Sequence, residues 1–140
     1  MRSFAEDYRN GLNNETRCVD FFNYYFEEEF AKTSPTHPFD FESGARFIEL
    51  KARTCLKDSY ETTMVGQDKI EIAKMSGKPV HFAFLFRDGS LWEIEYSPEV
   101  FEKFECEMFQ RKDRSDHRDV RKKYCYIPVR LLEPIGTLAV

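Results

Sequence analysis

The segment Val80–Phe86 constrains the fold of this chain more than any other part of its sequence. Its residues, VHFAFLF, form a nearly continuous apolar run with the length of a strand. Runs of this kind are typical of a central strand that is covered on both faces. Asp88-Gly89 follows as a strong hairpin turn, and Leu91–Tyr96 alternates like a return strand. The sequence therefore predicts a sheet with packed layers on both of its sides.

The sequence also predicts three helices and further short strands before and after this central pair of strands. Apolar residues at helical spacing predict a first helix from about Asn14 to Lys32 and a second from about Gly66 to Ser76. A third helix begins at Ser97-Pro98-Glu99 and is expected to end near Phe109. Further strands are expected at 38–42, 46–53 and 124–132. We interpret this order, αββαββαβ, as an α/β fold with a mixed central sheet flanked by helices.

Length and composition indicate one folded domain over residues 1–140. The chain is 41% hydrophobic and 16% aromatic, which excludes a disordered protein. Charged residues make up 33%, and no apolar run approaches the roughly 18 residues that a membrane-spanning helix needs. The charged start of the chain also differs from a secretory signal. We therefore expect an intracellular protein, in the cytoplasm or the nucleus, without a membrane partner.

The four cysteines, Cys18, Cys55, Cys106 and Cys125, are scattered along the chain. They include no C-x-x-C pair, and no histidine lies at zinc-ligand spacing from them. In an intracellular protein, such residues are expected to be reduced and partly buried thiols. The sequence therefore predicts neither a disulfide nor a zinc site.

The charges of the chain are unevenly distributed. The net charge of −4 argues against a protein that binds nucleic acid by charge alone. The segment Arg111–Lys123, however, holds seven Lys or Arg residues against three Asp. Such a segment is either a solvated loop or a flap whose cations contact phosphates and position a nucleic acid.

A predicted hairpin over residues 38–53 contains the residues with the clearest chemistry. If Gly44-Ala45 is its two-residue turn, Asp40 faces Glu49 across the two strands, with Cβ atoms about 5 Å apart. Two carboxylates at this distance repel each other unless a cation lies between them. Mg²⁺ is bound through one or two carboxylates and keeps positions open for phosphate and water. The hairpin therefore predicts a site for a divalent ion.

Strand alternation adds a lysine to this site. Glu49, Lys51 and Arg53 are expected to share one face of their strand. In Phe39-Asp40-Phe41, the two phenylalanines are expected to share a face and the aspartate to point to the other. Lys51 would then orient a water or stabilise charge on a phosphate. Two acids and a lysine in this arrangement indicate a metal-dependent phosphodiesterase, although a solvated polar face gives the same pattern.

Asp40, followed after eight residues by Glu49-Leu50-Lys51, resembles the motif of the PD-(D/E)xK nuclease superfamily. That superfamily includes restriction endonucleases, Holliday junction resolvases and recombination exonucleases. The resemblance covers about residues 8–95, and Phe39 stands where the family often has proline. It implies a restriction-endonuclease-like αβββαβ core and an endonuclease that uses Mg²⁺ or Mn²⁺ on DNA, including branched DNA. It also implies that the Leu50 carbonyl is a further metal ligand.

The resemblance assigns a role to the first helix as well. Glu15 extends the apolar stripe of that helix towards its start, and Gly11-Leu-Asn-Asn-Glu15 is similar to the glycine-preceded glutamate of resolvase-like members. Glu15 is therefore a second candidate catalytic residue, in addition to Lys51. The alternative is an ordinary first-turn acid that the helix dipole favours.

The expected contacts with nucleic acid come from the hairpin, the second helix and the basic segment. They comprise Arg53, Gln67, Lys69, Lys112, Arg114, Arg118 and Arg121. Superfamily members often place a Gln or Lys on the second helix, and the start of a helix favours phosphate. Ordinary polarity of a helix surface is the competing interpretation for these two residues.

Two alternatives to a DNA endonuclease stay open. The chain is a nuclease fold that binds nucleic acid or protein without catalysis, or it is an RNA endonuclease of the viral cap-snatching kind. Endonucleases of the cap-snatching kind have the same arrangement of two acids and a lysine in their active sites. A resolvase would in addition be a homodimer, because two sites are needed to cut two strands symmetrically.

Overall fold

The structure, a computed structural model, describes residues 4–110 and 121–139. Its helices are α1 (Phe4–Phe26), α2 (Gln67–Lys74) and α3 (Pro98–Phe101), with single 3₁₀ turns at Lys57–Ser59 and Val129–Leu131. The strands are β1 (Ala31–Lys32), β2 (Phe41–Glu42), β3 (Phe47–Ala52), β4 (Thr62–Gly66), β5 (Val80–Leu85), β6 (Ser90–Glu95), β7 (Cys106–Gln110), β8 (Arg121–Pro128) and β9 (Glu133–Thr137). Among the described residues, no helix is both long and apolar enough to cross a membrane.

The strands form two sheets. The larger has the order β1-β2-β3-β5-β6-β9, and the smaller has the order β4-β8-β7. β3 and β5 run parallel, whereas their neighbours in the larger sheet pair in antiparallel fashion. The connection from β3 to β5 contains β4 and α2, as the long crossover between parallel strands requires. The chain is therefore a mixed α/β protein, as the sequence predicts.

The larger sheet separates two hydrophobic cores. Phe82 and Phe84 of β5 point into the core formed with α2 and the smaller sheet. Ala83 and Leu85 point into the opposite core, which α1 covers with residues such as Phe22. Every residue of β5 is buried. This confirms the prediction of a central strand that is covered on both faces.

The first helix ends six residues earlier than its sequence pattern predicts. The Asn23 side-chain oxygen accepts a hydrogen bond from the Phe30 N–H at 2.8 Å, and the Glu28 N–H donates to the Asn23 carbonyl. Glu27 has a φ of 55°, in the left-handed region. A residue in this conformation turns the chain out of the helix, so Phe26 is the last helical residue.

The region after β6 also differs from the prediction. The third helix has only four residues, and the stretch that was expected to continue it forms β7. β4 lies just before the second helix, where the sequence predicts no strand, and β9 follows the expected last strand. β4 and β7 pair with the two sides of β8, and β9 pairs with β6. Pairing with distant residues overrides the local preference for helix or loop.

The prediction of four reduced cysteines is wrong for two of them. Cys106 and Cys125 face each other across β7 and β8 and form a disulfide, whereas Cys18 and Cys55 are free. Their sequence separation of 19 has no recognisable motif, and only the register of the hairpin brings them together. Burial raises the pKa of the Cys18 thiol to about 12, so this thiol stays protonated and unreactive.

Reduction of the disulfide is expected to lower the free energy of unfolding by about 3 kcal/mol, because it restores the freedom of a loop of about 20 residues in the unfolded chain. Urea denaturation with and without a reducing agent measures the change. The Cys106→Ser variant should reproduce it without reductant, while Cys55→Ser serves as the control and should change stability little. Equal stability of the oxidised and reduced proteins would contradict the prediction.

Candidate metal centre

The hairpin formed by β2 and β3 has the predicted register. Phe41 lies opposite Ile48, and the Ser43 N–H donates to the Arg46 carbonyl oxygen at 2.9 Å. Gly44 and Ala45 are therefore the two-residue turn, as we predict from the sequence. The paired register ends at Phe41, and Asp40 is the residue that precedes it.

Two hydrogen bonds fix Asp40 beside β3. Its N–H donates to the Ile48 carbonyl oxygen at 3.0 Å, and its Oδ2 accepts from the Leu50 N–H at 2.7 Å. Asp40 is therefore bound to the residues on both sides of Glu49. This side chain-to-backbone bond replaces regular strand pairing, and β2 begins only at Phe41.

The prediction that Phe39 and Phe41 share a face is wrong. Phe39 belongs to the core on the α2 side of the larger sheet, whereas Phe41 belongs to the core under α1. The reason is that β2 has only two residues, so the alternation of an extended strand does not reach back to Phe39. The position of Asp40 follows from its hydrogen bonds and not from alternation.

Glu49 is the most deeply buried acid of the hairpin, with 3% of its surface exposed. It lies between Ile48 and Leu50, which join the core under α1, so its side chain points to the α2 side. Desolvation raises the pKa of Glu49 to about 8, and a hydrogen bond to the Asp40 carboxyl adds to the shift. Asp40 thus lies close enough to favour the protonated form of Glu49, and two acids so placed are stable together only with a proton or a cation beside them.

Two lysines balance this acid pair. The Lys69 ammonium of α2 lies 3.1 Å from Glu49 Oε2 and also donates to the Pro38 carbonyl oxygen. Lys51 shares the face of Glu49, and the charges of both lysines favour the ionised form of this glutamate. The predicted acid-acid-lysine arrangement is thus present, and α2 contributes a second lysine to it.

The donors present fit a hard divalent ion. They are two carboxyl groups, and Glu49 Oε2 is a buried oxygen whose partner in the described part of the chain is the Lys69 ammonium at 3.1 Å. Hard cations such as Mg²⁺ bind oxygen, and one or two carboxylates suffice because water and substrate complete the coordination. Within residues 4–110 and 121–139, no group of three or more Asp, Glu, His or Cys side chains is arranged to hold a metal. The Leu50 carbonyl as a further ligand stays a prediction.

Glu15 lies elsewhere in the structure. Its carboxylate pairs with the Lys32 ammonium of β1 at 2.7 Å, and 28% of its side-chain surface is exposed. Since no metal-binding group of three acids exists among the described residues, Glu15 does not join Asp40 and Glu49. The place of Glu15 in line with the apolar stripe correctly indicates that its side chain points inward. Its partner there is the Lys32 ammonium of β1.

The residues predicted to bind nucleic acid separate into three groups. Arg53 links β3 to β4, since its guanidinium donates to Thr63 Oγ1 at 3.1 Å and to the Met64 carbonyl oxygen. Lys69 lies at the acid pair. The basic residues Lys112, Arg114 and Arg118 lie outside the described residues, and of Arg121 only the backbone is described.

Gln67 turns away from the acid pair. Its amide donates to Glu71 Oε1 at 2.6 Å, and its carbonyl oxygen faces the two sulfurs of the disulfide. Bonded sulfurs have no S–H to donate, so these contacts are not hydrogen bonds in the oxidised protein. Of the two predicted residues of α2, only Lys69 reaches the candidate site.

A second polar cluster lies at β5 and β6, beneath the end of α1. His81 Nδ1 lies 2.7 Å from Glu93 Oε1, the Tyr25 hydroxyl donates to Glu93 Oε2 at 3.1 Å, and Arg46 Nη1 contacts His81 Nε2 at 2.9 Å. His81 is 4% exposed, as expected for a buried and hydrogen-bonded histidine. Burial raises the pKa of Tyr25 to about 12, with a further contribution from Glu93. This cluster is internally satisfied and stabilises the fold.

No family model matches this chain, and no curated protein and no solved structure matches it either. Its resemblance to the PD-(D/E)xK nucleases therefore depends on the short motif from Asp40 to Lys51. What this region does chemically must be inferred from the geometry of the hairpin and of α2.

Proposed function

We propose that this protein is a Mg²⁺- or Mn²⁺-dependent endonuclease that hydrolyses phosphodiester bonds in DNA. One observation supports this function above the others: Glu49 is buried beside Asp40, which is hydrogen-bonded to the residues on both sides of it, and Lys51 lies on the same face. Burial of two acids in contact is unfavourable unless a proton or a cation is bound between them. A divalent ion would supply that cation.

Asp40 and Glu49 would hold the ion. When bound, such an ion lowers the pKa of a water molecule and neutralises charge on the scissile phosphate. The hydrogen bond from the Leu50 N–H to Asp40 Oδ2 keeps the aspartate in place before any ion arrives. Positions fixed in advance in this way reduce the cost of ordering a site when its ligand binds.

The two lysines have different proposed roles. Lys51 is partly exposed on β3 and would orient the attacking water or stabilise negative charge on the phosphate. Lys69 forms an ion pair with Glu49 and would contact a phosphate oxygen instead once a divalent ion is bound to Glu49. Both proposals use ammonium groups within reach of the same acid pair.

The order of the elements supports the resemblance. α1 precedes β1, β2 and β3, and α2 precedes β5, which lies parallel to β3 in the sheet. This is the αβββαβ order that the resemblance implies, with β4 inserted between β3 and α2. We propose that the core is restriction-endonuclease-like, and that β4 belongs to an added layer formed with β7 and β8.

The test combines metal binding with cleavage. Titration of the protein with Mn²⁺, followed by electron paramagnetic resonance, should reveal a bound ion that the Asp40→Asn and Glu49→Gln variants lose. Supercoiled plasmid, a four-way junction and single-stranded RNA should then be incubated with Mg²⁺ or Mn²⁺, and with EDTA as the control. Cleavage of DNA that requires the ion supports the proposal, and preferred cleavage of RNA would favour the RNA endonuclease instead.

A second candidate function is a nucleic-acid-binding module without catalysis. The Lys69–Glu49 ion pair favours this second function, because an ammonium group already contacts the acid that would have to bind the metal ion. With its pKa raised to about 8, Glu49 is also mostly protonated at neutral pH in the absence of a metal ion. A protein that binds DNA, takes up no Mn²⁺ and cleaves none of the substrates would be this module.

A further inference from the structure

A groove of about 570 Å³ lies beyond the carboxyl end of β3. Asp58–Thr62 line one side of it, and Pro128–Arg130 line the other. The Val129 N–H donates to the Glu61 carbonyl oxygen at 3.0 Å, and this bond joins the two sides. Tyr60 and Arg130, the chain neighbours of that bonded pair, both line the groove. The volume falls within the range of small-ligand sites.

The side chains of the groove are suited to one nucleotide. Tyr60 is 68% exposed and, in the described part of the chain, makes no hydrogen bond or ring contact. Neither Arg130 nor the carboxylate of Glu61 forms an ion pair with another described residue. An open aromatic ring stacks any nucleobase, a guanidinium binds a phosphate, and a carboxylate accepts hydrogen bonds from amino groups of a base.

The neighbouring groove is a weaker candidate. It has a volume of about 370 Å³, lies on the other side of the turn Lys57–Ser59 and contains Trp92. The Lys57 ammonium lies 4.4 Å from the centre of the Trp92 ring and covers it. Of the two rings, only that of Tyr60 is open to a base.

The groove lies on the same side of the larger sheet as the acid pair. Arg53, two residues after Lys51, holds the start of β4 by its bonds to Thr63 and Met64. β4 belongs to the smaller sheet, which packs on the face towards which Glu49 points. A strand in the groove would thus contact the start of β4, to which Arg53 ties the end of the strand that contains Lys51.

We infer that this groove binds an unstacked nucleotide of a single-stranded nucleic acid, with its base on Tyr60 and its phosphate on Arg130. The role of this groove in cleavage rests on the proposed function. The binding itself needs no metal and can be tested without cleavage. Together, the two sites would define a substrate with a single-stranded part, and not a uniform duplex. Paired and stacked bases in a duplex do not present their faces to Tyr60.

Fluorescence anisotropy in EDTA tests the inference with labelled oligo(dA) and oligo(A), and with a blunt duplex of equal length. Single strands should bind more tightly than the duplex. Tyr60→Ala should weaken binding of the single strand about tenfold or more, and Tyr60→Trp should preserve it. Arg130→Ala should make the negative slope of log K against log salt less steep by about 0.7, the contribution of one phosphate contact. The DNA and RNA probes determine which sugar is preferred.

Matched controls come from exposed residues elsewhere. Tyr24 on α1 is 89% exposed, so Tyr24→Ala removes an equally accessible ring, and Lys103→Ala removes an equal charge. Both should bind like the wild type. Unchanged binding by Tyr60→Ala, or a wild type that binds no single strand, would overturn the inference even if the protein cleaves DNA. Tyr60-dependent binding by a protein that cleaves nothing would refute the endonuclease alone.

Discussion

Replacing Lys51 with alanine is expected to reduce metal-dependent DNA cleavage by a factor of about 10²–10³ or more. The magnitude is typical of the loss of one group that stabilises developing charge in a transition state. Lys51 is only partly buried, and its removal leaves Asp40 and Glu49 in place. Binding of Mn²⁺ should therefore persist while cleavage is lost. The initial rate of plasmid nicking under saturating Mn²⁺ measures the effect.

Two comparisons make this prediction specific. Lys103→Ala removes the same charge from an exposed position outside the site and should retain the wild-type rate. Asp40→Asn should lose both Mn²⁺ binding and cleavage, because it removes a proposed ligand. If Lys51→Ala cleaves as fast as the wild type, the nuclease site does not include this lysine, and the observed activity has another origin.

The Glu49→Gln variant is expected to be more stable than the wild type at pH 9 and about equally stable at pH 5, both without metal. The pKa of Glu49 rises from an ordinary value of 4.5 to about 8 on folding. Between these values the folded state binds more protons than the unfolded state, so the free energy of unfolding falls as the pH rises. Glutamine resembles the protonated acid at every pH. The gain at pH 9 should amount to a few kcal/mol.

Urea denaturation in EDTA at the two pH values measures these stabilities. Glu93→Gln is the matched control, because Glu93 is also a buried acid of the larger sheet, but it accepts hydrogen bonds from Tyr25 and contacts His81. This second variant should be less stable than the wild type at both pH values. A Glu49→Gln protein that is less stable than the wild type at pH 9 would show that Glu49 is well solvated or well paired in the folded state.

The sequence predicts those parts of the fold that local pattern determines. The continuous apolar run predicts β5, which is buried on both faces, and the two-residue turn predicts the register of the hairpin that places Asp40 near Glu49. The same information could not predict β7 or the disulfide. Cys106 lies in a segment that also fits a helix, and only its pairing with β8 turns it into a strand next to Cys125.

The candidate site was predictable in its acids and in Lys51, but less so in its surroundings. Lys69 is assigned to phosphate from the sequence, yet its contact with Glu49 depends on how α2 packs against the sheet. Glu15 lies in line with an apolar stripe, and this pattern cannot distinguish a metal ligand from an ion-pair partner of Lys32. Sequence spacing fixes neighbours within one hairpin, whereas neighbours from different elements depend on tertiary packing.

The double role of β5 has a consequence for how the protein unfolds. Its odd and even residues belong to different cores, so neither layer can detach from the sheet without exposing side chains of this one strand. Detachment of α1 on one side or of α2 on the other therefore removes packing from the same strand, β5. Both layers should melt together in a cooperative, all-or-none transition, with the amide hydrogens of β5 the last to exchange with solvent.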